Sequence, residues 1–154
     1  MTRLISIVLG AFVFMGSTFA AIAQEGWIIK DSANTVDVTA DRLVAIIEKA
    51  PPKLFARIEH HRGAKKAGLE LGQATLIIFG APAIGTPIMQ QNIKAGLDLP
   101  IRVLIWDDNG QTKIGYLDPS ALKARYAIAE ADVSFKQMAG ALDKFTSGAA
   151  KAPE

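Results

Sequence analysis

The sequence predicts a compact α+β domain built on a mixed sheet of about five strands packed by helices. Three observations carry that expectation. Two β-prone runs, residues 101–106 and 112–117, flank Asn109-Gly110, a dipeptide that favours a two-residue hairpin turn. Two long segments repeat apolar residues at helical spacing and need an apolar surface to cover. The remaining β-prone runs alternate with helical stretches, giving the order β-α-β-α-β-α-β-β-α-α. The hairpin makes part of the sheet antiparallel.

Each element has a local reason. Trp27-Ile28-Ile29 is β-prone, so a short strand is expected over residues 26–30. Asn34 or Thr35 can cap a helix in which Val36, Ala40, Leu43, Val44 and Ile47 share one face, ending before Pro51-Pro52. From Leu54 the period becomes two: Leu54, Ala56, Ile58 and His60 point one way, Phe55, Arg57, Glu59 and His61 the other. Residues 62–71 read as a helix weakened by Gly63 and Gly68. Thr75-Leu76-Ile77-Ile78-Phe79 is an unbroken apolar run, the pattern of a strand covered on both faces. Thr86-Pro87 reads as cap and first residue of a short helix. In the hairpin Ile105 opposes Ile114, Val103 opposes Tyr116, and Trp106 opposes Lys113. Asp118-Pro119 opens the next helix. A last helix follows Glu130, with Phe135, Met138, Leu142 and Phe145 as its buried stripe.

The 154 residues suffice for one domain, and the formal charge of +2 from 17 basic and 15 acidic groups leaves no footprint for nucleic acid. Cysteine is absent, which excludes disulfides, thiolate metal sites and a cysteine nucleophile. Arg3, the uncharged run from Leu4 to Met15 and the small residues of Ala21-Ile22-Ala23 read as a secretory signal cleaved before Gln24. The apolar run is shorter than the roughly 20 residues of a spanning helix. The organisation expected is therefore a signal peptide over 1–23, a domain over 24–146 and a flexible tail over 147–154. The compartment is periplasmic or secreted, with no stable membrane anchor after cleavage.

Two places concentrate chemistry. Alternation aims His60 inward and leaves His61 solvated; adjacent histidines on a strand face opposite ways and cannot share one metal ion. The second place is the segment from Gly80 to Gln91. A helix opened by Thr86-Pro87 would offer free amides to a small anion, with the Thr86 hydroxyl beside them. No lysine stands in that loop, so it is not a nucleotide loop. Met89 falls in the helix's first turn, whereas Met138 belongs to the buried stripe. A histidine and a methionine without cysteine form a donor set for copper or haem iron, which makes His60 and Met89 the candidate metal ligands. Asp98, between Leu97 and Leu99, is expected to bond loop amides. Gly-x-Ser-x-Gly and His-Glu-x-x-His are both missing.

Several blocks in order resemble a known family: Phe55-Ala56-Arg57-Ile58-Glu59-His60, Gly68-Leu69-Glu70-Leu71, Leu76-Ile77-Ile78-Phe79-Gly80, Gly85-Thr86-Pro87-Ile88-Met89-Gln90, the stretch from Gly96 to Leu104, and Tyr116-Leu117-Asp118-Pro119. Over about residues 54–119 the chain resembles the domain-of-unknown-function family numbered 302 (DUF302). The resemblance implies a small α+β domain with a mixed sheet and no established activity. It marks His60, Gly85, Thr86, Pro87, Met89, Gln90 and Asp98 as its polar or loop signature.

The expectation for function is an exported binding module for a metal ion, haem or small anion. Its pocket would lie between the strand end at His60 and the loop 85–90, with His60, Gly85, Thr86, Met89, Gln90 and Asp98 around it. Two alternatives stand beside it. One is a hydrolase or oxidoreductase with His60 as general base, oriented by Glu59 or Asp98. The other is a structural or partner-binding protein of the envelope. The geometric criterion is whether His60, Thr86 and Met89 converge on one cavity.

Overall fold

The computed structural model describes residues 26–152, so the expected signal peptide lies outside the described residues. The elements are β1 (Trp27–Asp31), α1 (Val36–Glu48), β2 (Lys53–Glu59), α2 (His60–Lys66), β3 (Ala74–Gly80), α3 (Pro82–Gln91), a 3-10 turn (Ile93–Leu97), β4 (Ile101–Asp108), β5 (Gln111–Leu117), α4 (Pro119–Arg125) and α5 (Asp132–Ala150). The strands form one sheet in the order β1-β5-β4-β3-β2.

The α+β class and five strands match the expectation, but every neighbouring pair is antiparallel, so the sheet is not mixed. The reason lies in the connections. α1 joins β1 to β2, which run parallel, but these are the two edge strands and three others lie between them. The short α2 and α3 stay at the strand ends, and their strands return antiparallel beside one another.

Local signals set most elements. The Thr35 side chain caps α1 by accepting from the Val38 amide. Asp118 caps α4 by accepting from the Ser120 amide, with Pro119 at the first position. At the hairpin Asn109 and Gly110 both take positive φ, 54° and 90°, and the register places Ile105 on Ile114, Val103 on Tyr116 and Trp106 on Lys113.

α1 and α5 cover one face of the sheet. Val36, Ala40, Leu43 and Ile47 of α1 meet Ile77, Phe79, Val103, Ile105, Ile114 and Tyr116, with Phe135, Met138, Leu142 and Phe145 of α5 beside them. The two helices approach closely where a Cβ on Gly148 would stand 3.0 Å from Ile46 Cδ1. α5 runs on to Ala150, past Ser147 where a flexible tail is expected, because Ala149 and Ala150 are buried and the Ala33 amide donates to the Ala150 carbonyl at 2.9 Å.

β2 departs from simple alternation. A bulge between Leu54 and Ala56 reverses its faces, so Leu54, Arg57 and Glu59 stand toward the helices while Ala56 and Ile58 turn to the other side. The strand also ends at Glu59. His60 therefore begins α2 and is exposed, not carried inward.

Among the described residues, no helix lies over the far face of the sheet. Its middle row runs Ile58, Leu76, Leu104, Gly115, Ile29 across all five strands. The apolar run of β3 is thus buried on one face only: Ile77 and Phe79 are fully enclosed, Leu76 and Ile78 half-buried.

Thr75 is fully buried on the helix-covered face, and its hydroxyl has no hydrogen-bond partner among the described residues. An orphaned buried hydroxyl costs about 1–3 kcal/mol. Thr75→Val should therefore raise stability by about 1 kcal/mol in denaturant unfolding.

Candidate functional site

The helices and strand ends leave two recesses of different chemistry. The first is a cavity of about 240 Å³ where β2 begins and β3 ends, under α3 and the N-terminal half of α5. Its wall is Pro52, Phe55, Phe79, Gly80, Ala81, Pro82, Ile84, Gly85, Thr86, Met89, Leu99, Pro100, Ile101, Met138 and Ala141. Each lining residue follows from its element. The β2 bulge turns Phe55 out of the ladder, the end of β3 supplies Phe79 and Gly80, and Met138 and Ala141 come from α5. Gly85 keeps the wall thin, since a Cβ there would meet only Leu99 Cδ1, at 3.8 Å. Thr86 is the single hydroxyl in the wall.

The second recess, about 400 Å³, includes His60, Trp27, Leu104, Asp98, Arg102 and Arg125 in its lining. Asp98 is its electrostatic centre. The carboxylate is only 8% exposed, and both oxygens accept charge-assisted or hydroxyl bonds. Arg102 donates to Oδ1; Arg125 Nη1 and the Tyr126 hydroxyl each donate to Oδ2 at 2.7 Å. Burial pushes the carboxyl up, but the bonds from Tyr126 and Arg125 and the charges of Arg125 and Arg102 outweigh it, so Asp98 titrates below its ordinary value. The expected bonds to loop amides are replaced by side chains from β4, α4 and the residue after α4. Two arginines on one carboxylate also leave a positive balance beside an apolar wall.

The signature residues divide between these places. Gly85, Thr86 and Met89 line the first cavity and His60 and Asp98 the second, while Gln90 is exposed and lines neither. His60 follows the end of β2 that pairs with Thr75, whereas the cavity holding Met89 adjoins Gly80, at the opposite end of β3. The separation is about 17 Å along the strand. His60 and Met89 therefore do not share one ion or one haem iron. Among the described residues no group of three or more His, Asp or Glu side chains could hold a metal ion.

Two further expectations change. α3 begins at Pro82, one turn before Thr86, and Pro87 sits inside it. The amides of Ile84 and Gly85 donate to the Ala81 carbonyl and are not free for an anion at Thr86. The histidines exchange their expected roles: exposed His60 has no side-chain hydrogen bond among the described residues, while half-buried His61 has Nδ1 3.1 Å from the Ala74 carbonyl and 3.3 Å from the Ala74 amide. Those two contacts belong to opposite tautomers. A general-base role for His60 also loses its orienting partners, because Glu59 faces Arg57 and Arg62 and Asp98 is caged.

Sequence reasoning missed Arg125, Tyr126 and Met138 as site residues. Arg102, four residues from Asp98, was the one partner whose spacing could have revealed it.

These features define a class: a two-layer α+β domain, with one antiparallel sheet backed by helices and an apolar cavity at its end. The chain belongs to the family described as Domain of unknown function DUF302, whose sequence model matches residues 28–145. The match is wider than the span over which the resemblance is legible. The crystal structure of an uncharacterized conserved protein DUF302 from Bacillus stearothermophilus superposes with TM-score 0.65 at 18% identity, covering 82% of this chain and 96% of that one, a likeness of fold. Curated relatives include Fluoride-specific ion channel FluC 1 of Brucella suis biovar 1 (strain 1330), 37% identical over 134 residues, 84% of this chain and 53% of the relative. FluC 1 of Brucella abortus biovar 1 (strain 9-941) matches at 37% identity, again over 84% of this chain but 50% of the relative. The chain spans about half the length of these relatives.

The Asp98 cage sets a pH dependence. The folded value lies below the unfolded one, so the stabilisation is fully present above the unfolded value of about 4 and is lost as pH falls through the folded value. Asp98→Asn should lower stability at pH 7 by about 2 kcal/mol, since it removes bonds to charged groups. It should also lose less stability than the wild type on acidification below about pH 4, in thermal unfolding of both proteins.

Proposed function

We propose that this chain is an exported binding module for a small, mainly apolar molecule held in the cavity between α3, α5 and the ends of β2 and β3. The observation that carries the reading is the composition of that wall: aliphatic, aromatic and thioether groups around about 240 Å³, with one threonine hydroxyl. Apolar cavities of ~150 Å³ stay dry and take up benzene, so this larger one suits a ring bearing a short chain. Met89 of α3 and Met138 of α5 both bring adaptable thioethers to the wall, which favours ligands of irregular outline. Thr86 is the group that would orient a polar end.

The metal-ion and small-anion ligands lose their support, because His60 stands apart from Met89 and the amides near Thr86 are occupied. The fluoride channel named for the relatives is a property of proteins about twice the length of the matched part. Among the described residues of this chain, no helix is long and apolar enough to cross a membrane. Export rests on the sequence of residues 1–23 alone. N-terminal sequencing of the protein recovered from the host envelope should begin at Gln24; a chain retaining Arg3 would reject that part of the reading.

The cavity can be tested with indole as the probe. Trp27 and Trp106 stand on the far sheet face, so the ε-methyl resonances of Met89 and Met138 are the local reporters. Indole should shift both methyl signals saturably and raise the unfolding temperature. Gly85→Leu, which projects into the space, should keep the fold and weaken binding at least about tenfold. Unmoved methyl signals at the solubility limit of indole, or equal binding by Gly85→Leu, would overturn the assignment.

A further inference from the structure

Among the described residues the far sheet face is uncovered; the cavity does not use it, and the second recess opens onto part of it. The face presents three rows across the strands. The middle row is wholly apolar: Ile58, Leu76, Leu104, Gly115 and Ile29. Ile58 is 40% exposed and Ile29 37%. Trp106 lies against Gly115, where a Cβ would stand 3.1 Å from the indole, so the aromatic surface fills the one gap in that row. One flanking row carries Arg102 with Ile78, Leu117 and Trp27, the last 41% exposed; the other carries Trp106 with Lys113 and Asp31.

We propose that this face is the interface of a two-fold homodimer in which the sheets of two copies pack against each other. Area, charge and symmetry support a second copy as the occupant. Five strands about 4.8 Å apart and three rows about 7 Å apart make a footprint of roughly 500 Å² per copy, so a pair buries on the order of 1,000 Å², the lower limit for a specific interface. Each charged side chain of these rows has an opposite partner within its own copy: Lys113 bonds Asp31, and Arg102 bonds Asp98, which it shares with Arg125. Docking therefore traps no unpaired ion. Leu104 lies on the central strand of the five, so a two-fold axis passing over it superimposes the apolar row of one copy on that of the other.

The direction of the axis follows from charge. An axis along the strands would set Arg102 against its own symmetry mate. An axis across the strands keeps the apolar rows matched and sets Arg102 opposite the partner subunit's Trp106, where a guanidinium over an indole is attractive. The second arrangement is the one we assign. The interface lies on the face of the sheet turned away from the helices, so it stands or falls independently of the cavity reading.

Sedimentation equilibrium on protein produced from the full chain tests the proposal. A minimal interface of this kind should give a monomer–dimer equilibrium with a midpoint on the order of micromolar. Ile58→Lys and Leu104→Lys should each weaken dimerisation at least about tenfold. Ile93→Lys, at a position 73% exposed on the 3-10 turn and off the face, should leave it unchanged. Circular dichroism reports whether each variant folds; if Leu104→Lys does not, the exposed edge position Ile58 still decides. A wild type that stays monomeric at about 200 μM would overturn the proposal. So would a dimer indifferent to Ile58→Lys, or a monomer that associates only with lipid vesicles.

Discussion

The fold depends on an unequal covering of its sheet. α1 and α5 are the two longest helices among the described residues, and both lie on the same face, where they enclose Ile77, Phe79, Val103, Ile105, Ile114 and Tyr116. That packing supplies the main apolar burial and fixes which side chains of every strand point inward. It also determines what remains. With both long helices committed to one side, the short α2, α3 and α4 close the ends of the sheet, and among the described residues the second face has no element to cover it. The cavity and the apolar row are consequences of one arrangement of the described elements: the first is where the end caps fail to meet, the second the face that these elements leave open.

The legible parts of the sequence were those with local causes. The hairpin register follows from two residues that tolerate positive φ, and the helix starts at Thr35 and Asp118 follow from side chains that bond amides two or three residues on. The α5 stripe follows from spacing alone. Failures begin where a single residue changes the count. The bulge at Phe55 adds one residue to β2, which sends Ile58 to the open face and, with the early end of the strand, leaves His60 outside. Alternation from Leu54 could not anticipate it, because an inserted residue leaves no mark in a pattern of two. Thr86-Pro87 misled in the opposite way. Proline tolerates the first turn of a helix, but Pro82 supplies an equally good start, and Pro87 is then accommodated five residues later.

Non-local pairing accounts for the rest. Asp98 was conspicuous as a carboxylate between leucines, yet Arg125 and Tyr126 lie 27 and 28 residues away and reach it only because α4 folds against the end of the sheet. The division of His60 from Met89 is of the same kind. Both residues flank neighbouring elements in sequence, but an antiparallel return from β2 to β3 sends the chain back along the strand before α3 begins. A parallel crossover would have put the two strand ends together, and with them the two residues. The candidate site was therefore half legible: the segment containing Gly85, Thr86 and Met89 does line a cavity, and the histidine assigned to it belongs elsewhere.

The cage and the cavity are joined by three residues. Leu97 is 82% exposed, Asp98 is locked by Arg102, Arg125 and Tyr126, and Leu99 turns back into the cavity wall with Pro100 and Ile101 beside it. The backbone there makes no strand bonds until β4 begins, so without an anchor the wall would be a free loop. Asp98 supplies that anchor one residue from the lining. Pro100 also packs against Gly80, where a Cβ would come within 3.3 Å, so the segment is held from the strand side as well. A wall fixed at both ends has little freedom left to lose, which is what the proposed binding of an apolar molecule with few polar contacts requires. The carboxylate that looks most like a catalytic group has its charge spent on the arginines, and what it supplies to neighbouring Leu99 is an anchored backbone.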